Sequence, residues 1–133
     1  MSDAIQVPAG QVPAGAPAPA GSARFETWLW IAQRASAVVL ALCVLVHLAT
    51  IIYAVRHGLT GAAILGRTRG NAAALAFYAL YVLAIAVHAP IGLRTLCQEW
   101  LGWRAASLNW VMGAIALALF AFGLRAGWAV FVG

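Results

Sequence analysis

Two histidines lie where an ionisable side chain is expensive. His88 ends the uncharged stretch from Ala73 to Val87, and His47 sits in a run with no charged residue between Arg34 and Arg56. Ionisable groups at such depth in apolar sequence usually mark a function. A neutral imidazole in an apolar slot is a good axial ligand for haem iron. Two imidazoles on one iron give a low-spin electron-transfer centre with no open position. The competing reading is an imidazole that only hydrogen-bonds between helices.

Helical geometry gathers the remaining polar groups around these histidines. At 100° per residue, Gly92, Thr95 and Glu99 fall within about 40° of His88. Gln33, Ser36, Cys43 and His47 share a face of the preceding segment in the same way. A glycine one turn from a ligand leaves room for a flat porphyrin. Arginines nearer the surface, Arg34 and Arg94 among them, can pair with its propionates. Ser36 precedes His47 by eleven residues and Glu99 follows His88 by eleven. If Ser36 and Glu99 mark one surface, both histidines lie ~16 Å below it. Neighbouring helices pack only 8–10 Å apart, too close for both imidazoles to bind one iron between them. A second ligand is therefore expected from another subunit.

The elements that position these groups follow from composition. The 133 residues are 65% hydrophobic and 8% charged, with a mean hydropathy of +0.93, whereas ordinary domains carry about 25% charged residues. Three apolar segments, 28–55, 73–97 and 105–132, each exceed the ~20 residues that cross a ~30 Å hydrocarbon core. They predict an all-α membrane protein with three transmembrane helices in an up-down-up bundle. Trp28, Trp30, Trp100, Trp103, Trp110 and Trp128 lie near segment ends, with Tyr53 and Tyr78 beside the first connection, as an aromatic belt requires.

Residues 1–23, rich in Ala, Pro and Gly, are expected to form a disordered tail before the anchor domain, 24–133. The tail lacks the basic start and apolar block of a signal peptide, so no cleavage is expected. The net charge of +5 comes from eight arginines, no lysine, and the acids Asp3, Glu26 and Glu99. The arginines stand singly at the ends of apolar runs, which suits headgroups and not a nucleic-acid groove. Four flank each side, so the positive-inside count is a tie. Cys43 and Cys97 have no metal-site spacing and read as small core residues. His57 reads as a headgroup residue, Arg125 as a snorkelling one, and Gly113 and Ala116 as small residues for close packing.

His88-Ala89-Pro90-Ile91-Gly92-Leu93-Arg94, with Glu99 beyond it, resembles the membrane-anchor subunits of succinate dehydrogenase and fumarate reductase. In that family a His-x-x-x-Gly-aliphatic-Arg stretch on the second helix carries the haem ligand. Gln33-Arg34-Ala35-Ser36-Ala37 resembles the start of the family's first helix. The resemblance spans about residues 28–131. It implies His88 as axial ligand of a haem b, with Arg34 and Ser36 by the propionates and a ubiquinone or menaquinone pocket. Arg94 matches the arginine of the larger anchor. Glu99 and Trp100 stand where the small anchor has Asp and Tyr at the quinone. An indole can donate to a quinone carbonyl but cannot titrate as a phenol does. His47 matches the first-helix histidine of two-haem relatives.

The expected function is that of a haem b-binding anchor subunit of a succinate:quinone oxidoreductase. Its expected partners are a flavoprotein, an iron–sulphur subunit and a second anchor subunit, in a bacterial inner membrane more than a mitochondrial one. Alone the chain is not expected to oxidise succinate, having neither a dinucleotide fold nor cluster cysteines. The alternative is a small non-enzymatic polytopic protein without haem, an assembly factor or a transporter half.

Overall fold

The computed structural model describes residues 20–133, and side chains from residue 23 onward. Four helices follow one another: α1 (Ala20–His57), α2 (Gly61–Thr68), α3 (Ala72–Trp100) and α4 (Ala106–Val132). α1, α3 and α4 are long and apolar enough to cross a membrane. The three expected spans are present and run up-down-up. Residues 1–19 of the expected disordered tail lie outside the described residues, whereas 20–23 already belong to α1.

α2 was read as part of the first loop, yet its signals are local. Thr60 accepts from the Ala63 amide through Oγ1 at 3.2 Å, which satisfies one of the free donors of a helix start. Asn71 then ties the end of α2 to the start of α3. Its Nδ2 donates to the Arg67 carbonyl at 3.1 Å, and its Oδ1 accepts from Ala73 and Ala74, each at 3.1 Å. The second connection is tighter. The Cys97 carbonyl accepts from the amides of Leu101 and Trp103, and Gly102 turns the chain at φ +63°, a conformation costly for any residue with a Cβ.

α3 is the middle of a row, packed on α1 along one side and on α4 along the other. The best-enclosed cluster lies at the α3–α4 turn, where Cys97, Leu108 and Met112 are buried against Trp103 and Ile115. On α1 only Ser36 and Cys43 are buried, while Val38, Leu42, Leu45 and Leu48 are exposed. Both cysteines are free and buried, as expected. Pro90 is buried inside α3. Lacking an N–H, it leaves the Ala86 carbonyl without its helical donor. Both residues line a cavity of about 290 Å³ that Leu29 of α1 and Met112 of α4 also border.

The glycines expected to allow close packing are not the ones that do. A Cβ on Gly113 would meet nothing within 4 Å, whereas one on Gly123 would lie 2.6 Å from Val82 Cγ1. Gly123 and Gly127 sit four apart on the α4 face toward α3, the small-xxx-small arrangement of membrane helix pairs. Gly123→Ala is therefore expected to destabilise the α3–α4 pair by about 1–3 kcal/mol. Val82→Ala in the same chain should recover most of the loss. Unfolding of the purified protein by SDS titration measures both.

Candidate functional site

The α1–α3 interface brings His88 to Ser36. His88 is half-buried and Ser36 is 7% exposed, with Nδ1 and Oγ 3.4 Å apart. Ser36 Oγ also lies 2.7 Å from the Ala32 carbonyl and 3.1 Å from that of Gln33. A hydroxyl has one hydrogen, and the short contact to Ala32 takes it. Toward the ring, Oγ can then only accept, which suits the tautomer with the proton on Nδ1 and the lone pair on Nε2.

One turn further on, the Gln33 amide crosses in front of Gly92. A Cβ at Gly92 would stand 3.2 Å from Gln33 Nε2, so the space this glycine frees is taken by Gln33. Gln33 Oε1 is buried without a hydrogen-bond partner. Such an atom is costly to leave bare and is an acceptor waiting for a donor. Gln33 was seen on the polar face of the sequence but not assigned to the site. Only the packing of α1 on α3 shows that its oxygen is enclosed.

The register between α1 and α3 corrects one expectation. Ser36 stands opposite His88, not level with Glu99, and His47 lies beside Tyr78 and Tyr81, with ring centroids 6.4 and 6.5 Å away. Eleven residues of α1 separate Ser36 from His47, so the two histidines differ in depth by ~16 Å. They do not share a level. Nor does Ser36 converge with Glu99, since eleven residues of α3 carry Glu99 beyond His88. The symmetric spacing suggested a common level only because the pairing of the helices was unknown.

Arg94 is committed to structure. Its Nη2 lies 2.6 Å from Glu26 Oε1 and its Nη1 3.1 Å from Glu26 Oε2, while Nε donates to Asn109 Oδ1 at 2.9 Å. A longer contact of 3.4 Å joins Nη1 to Gln98. The guanidinium thus joins α1, α3 and α4, and Asn109 and Glu26 are partners that the sequence reading left out. Arg34, in contrast, is exposed, with its guanidinium 5.3 Å from the Trp30 ring centre. Glu99 and Trp100 are exposed at the end of α3. His57 caps the other end of α1, stacked on Tyr53 at 4.0 Å. Among the described residues no three His, Cys, Asp or Glu side chains form a metal-binding group.

The described residues thus form a row of three helices long and apolar enough to cross a membrane, with His88 half-buried in the seam between α1 and α3. Over residues 13–124 the chain matches the family described as succinate dehydrogenase/fumarate reductase transmembrane subunit, and it belongs to that family. Comparison with curated proteins finds no match, and comparison with solved structures finds none. Membership makes the chain a multi-pass membrane component of a complex with flavoprotein and iron–sulphur subunits. It favours the anchor-subunit expectation over an assembly factor or transporter half.

The Arg94 junction makes a graded prediction. Arg94→Leu should destabilise the folded chain by about 2–3 kcal/mol, because it strips hydrogen bonds from a charged group joining three helices. Glu26→Gln should cost less than about 1 kcal/mol, since Glu26 is half exposed and solvent screens the pair. SDS-titration unfolding of the two variants and the parent gives the order.

Proposed function

We propose that this chain binds haem b through His88 and helps pass electrons from the flavoprotein and iron–sulphur subunits to membrane quinone. The observation that carries the proposal is the Ser36–His88 contact. It holds the imidazole with Nδ1 engaged and Nε2 free, the state an iron ligand needs. The buried, unpartnered Gln33 Oε1 beside it supports a site built for a further group. A haem bound there supplies a centre that takes up and releases one electron at a time.

The residues fit half of such a site. His47 is ~16 Å away along the helix axis, too far to complete the coordination of the same iron. The second ligand then comes from another anchor subunit, seated against the exposed flank of α1. Arg34, exposed and without a carboxylate partner among the described residues, is the first candidate to pair with a propionate or a quinone oxygen. Arg94 comes second, because Glu26 and Asn109 already hold most of its donors. Ser36 serves His88 first and quinone only through it. Glu99 and Trp100 belong at the rim where the iron–sulphur subunit docks and the quinone, ubiquinone or menaquinone, enters. We assign His47 to packing between two tyrosines, with a second haem at its deeper level as the rival. The membrane is assigned as the bacterial inner membrane.

Reduced-minus-oxidised spectra and pyridine-haemochrome titration of the purified complex test the assignment. His88→Ala should abolish the b-type band, and a band that survives would falsify the ligand. Ser36→Ala should leave the complex assembled but lower haem affinity by about 10- to 100-fold and shift the midpoint potential. His47→Ala should leave the haem-to-flavin ratio unchanged; a halved ratio means two haems.

A further inference from the structure

A second cavity lies at the opposite end of the α1–α3 pair from Arg94. It measures about 530 Å³ and is bounded by α1, α2, the first loop and the start of α3. Its apolar wall includes Ile51, Leu59, Ile64 and Phe77, and its polar lining includes Arg67 and Asn71. Ile51, Leu59 and Ile64 are themselves exposed, so the cavity is continuous with the outer surface of the spanning helices.

Arg67 is held in an unusual way for a surface cation. Its Nη2 donates to the carbonyls of His57 at 3.4 Å and Gly58 at 3.2 Å, and its guanidinium carbon stands 5.5 Å from the Tyr53 ring centre. These contacts fix the plane of the guanidinium and use one nitrogen. The Nε–H and the two Nη1–H donors have no partner among the described residues. Nε–H and Nη1 face opposite sides of the guanidinium, so Arg67 offers a phosphate free charged donors at Nη1 while Nη2 is held by the loop carbonyls.

Charge at this end runs one way. Arg56, Arg67, Arg69 and Arg125 lie here, while the acids among the described residues, Glu26 and Glu99, are at the far end. We propose that the cavity binds an anionic phospholipid, its phosphate on the free Nη1 donors of Arg67 and an acyl chain along Ile51, Ile64 and Phe77. A neutral quinone can accept a hydrogen bond from Arg67 but carries no charge for the four arginines to attract, whereas a phosphate gains from both. His47 is the one imidazole on the cavity wall, so a haem on it is the competing occupant. Each arginine near an anionic lipid surface contributes about 1 kcal/mol, and a short amphipathic helix such as α2 suits the headgroup level.

The test uses the assembled complex, stripped of lipid in neutral detergent. Phosphatidylglycerol is compared with phosphatidylcholine of the same acyl chains and with inorganic phosphate. Phosphatidylglycerol should raise the melting temperature and remain bound in native mass spectra; the other two should do neither. Arg67→Gln should weaken retention about fivefold, the effect of one arginine. Arg67→Lys, which keeps the charge but loses the planar group that the His57 and Gly58 carbonyls hold in place, should fall between. Arg125→Gln, at the same end but off the cavity wall, should weaken retention less than twofold. Equal retention of phosphatidylcholine, or retention undiminished in both Arg67 variants, overturns the proposal. So does loss of a haem in both His47→Ala and Arg67→Gln, because the cavity would then hold that haem. If Arg67→Gln fails to assemble, the Arg67→Lys and Arg125→Gln pair decides. The b-type band of His88 should be unchanged in every Arg67 and Arg125 variant, which separates this outcome from the assignment of His88.

Discussion

One guanidinium sets the register on which the candidate site depends. In a bilayer, burying apolar side chains between helices gains little, because lipid tails are as apolar as leucine. Position along the helix axes must therefore come from polar contacts and close approaches. Arg94 reaches Glu26 on α1 and Asn109 on α4 from α3, and so pins three helices at one level. With that level fixed, counting up α1 and down α3 brings Ser36 opposite His88. A slip by one turn would take Ser36 away from the imidazole and strand a proton choice on the ring. Arg94 therefore acts on His88 at a distance, as a register device more than as a partner of any ligand.

That dependence explains which features were legible in the sequence. The three spans could be read from apolar runs alone, since hydrocarbon leaves a lone segment no option but a helix. α3 and α4 begin and end within three residues of the expected bounds. α1 departs most, because its expected start was placed where charge begins, and a helix stays intact as it leaves hydrocarbon. α2 was missed although Thr60 before an apolar run is a start signal; eight residues between two long spans pass easily for a loop. His88 with Ser36 on the facing helix was suggested by face. Their contact was not, because face gives rotation about an axis and says nothing of displacement along it. The Arg94–Glu26 pair joins residues 68 apart, and no periodicity connects them.

The row arrangement has a consequence for the site. A closed bundle would surround His88 on all sides; here α3 alone has neighbours on both, and α1 leaves most of its apolar face outward. Scattered exposed leucines on a membrane helix are ordinary. A half-buried imidazole with Nδ1 engaged by Ser36 next to them is not, because its free Nε2 lone pair has to be satisfied by something. Gln33 raises the same demand with an acceptor. Both groups lie in the seam between α1 and α3, so whatever satisfies them enters from the flank that this chain leaves open.

The two ends of the α1–α3 pair divide their labour by charge. Near Arg94, four arginines stand with two acids, and Glu26 closes an ion pair with Arg94. Near Arg67, arginines stand without acids, and the cavity between α1 and α2 collects their field in an apolar surround. Charge focused on low-dielectric walls attracts anions far more strongly than the same arginines spread over a wet surface. His47 sits between these ends, held by Tyr78 and Tyr81 and separated by ~16 Å from the level of His88. Among the described residues no hydrogen bond reaches the His47 ring, whereas Ser36 Oγ stands 3.4 Å from His88 Nδ1. The two histidines, alike in the sequence, differ in what the fold provides for the second ring nitrogen. That difference is the ground on which we propose the ligand role for His88 and not for His47.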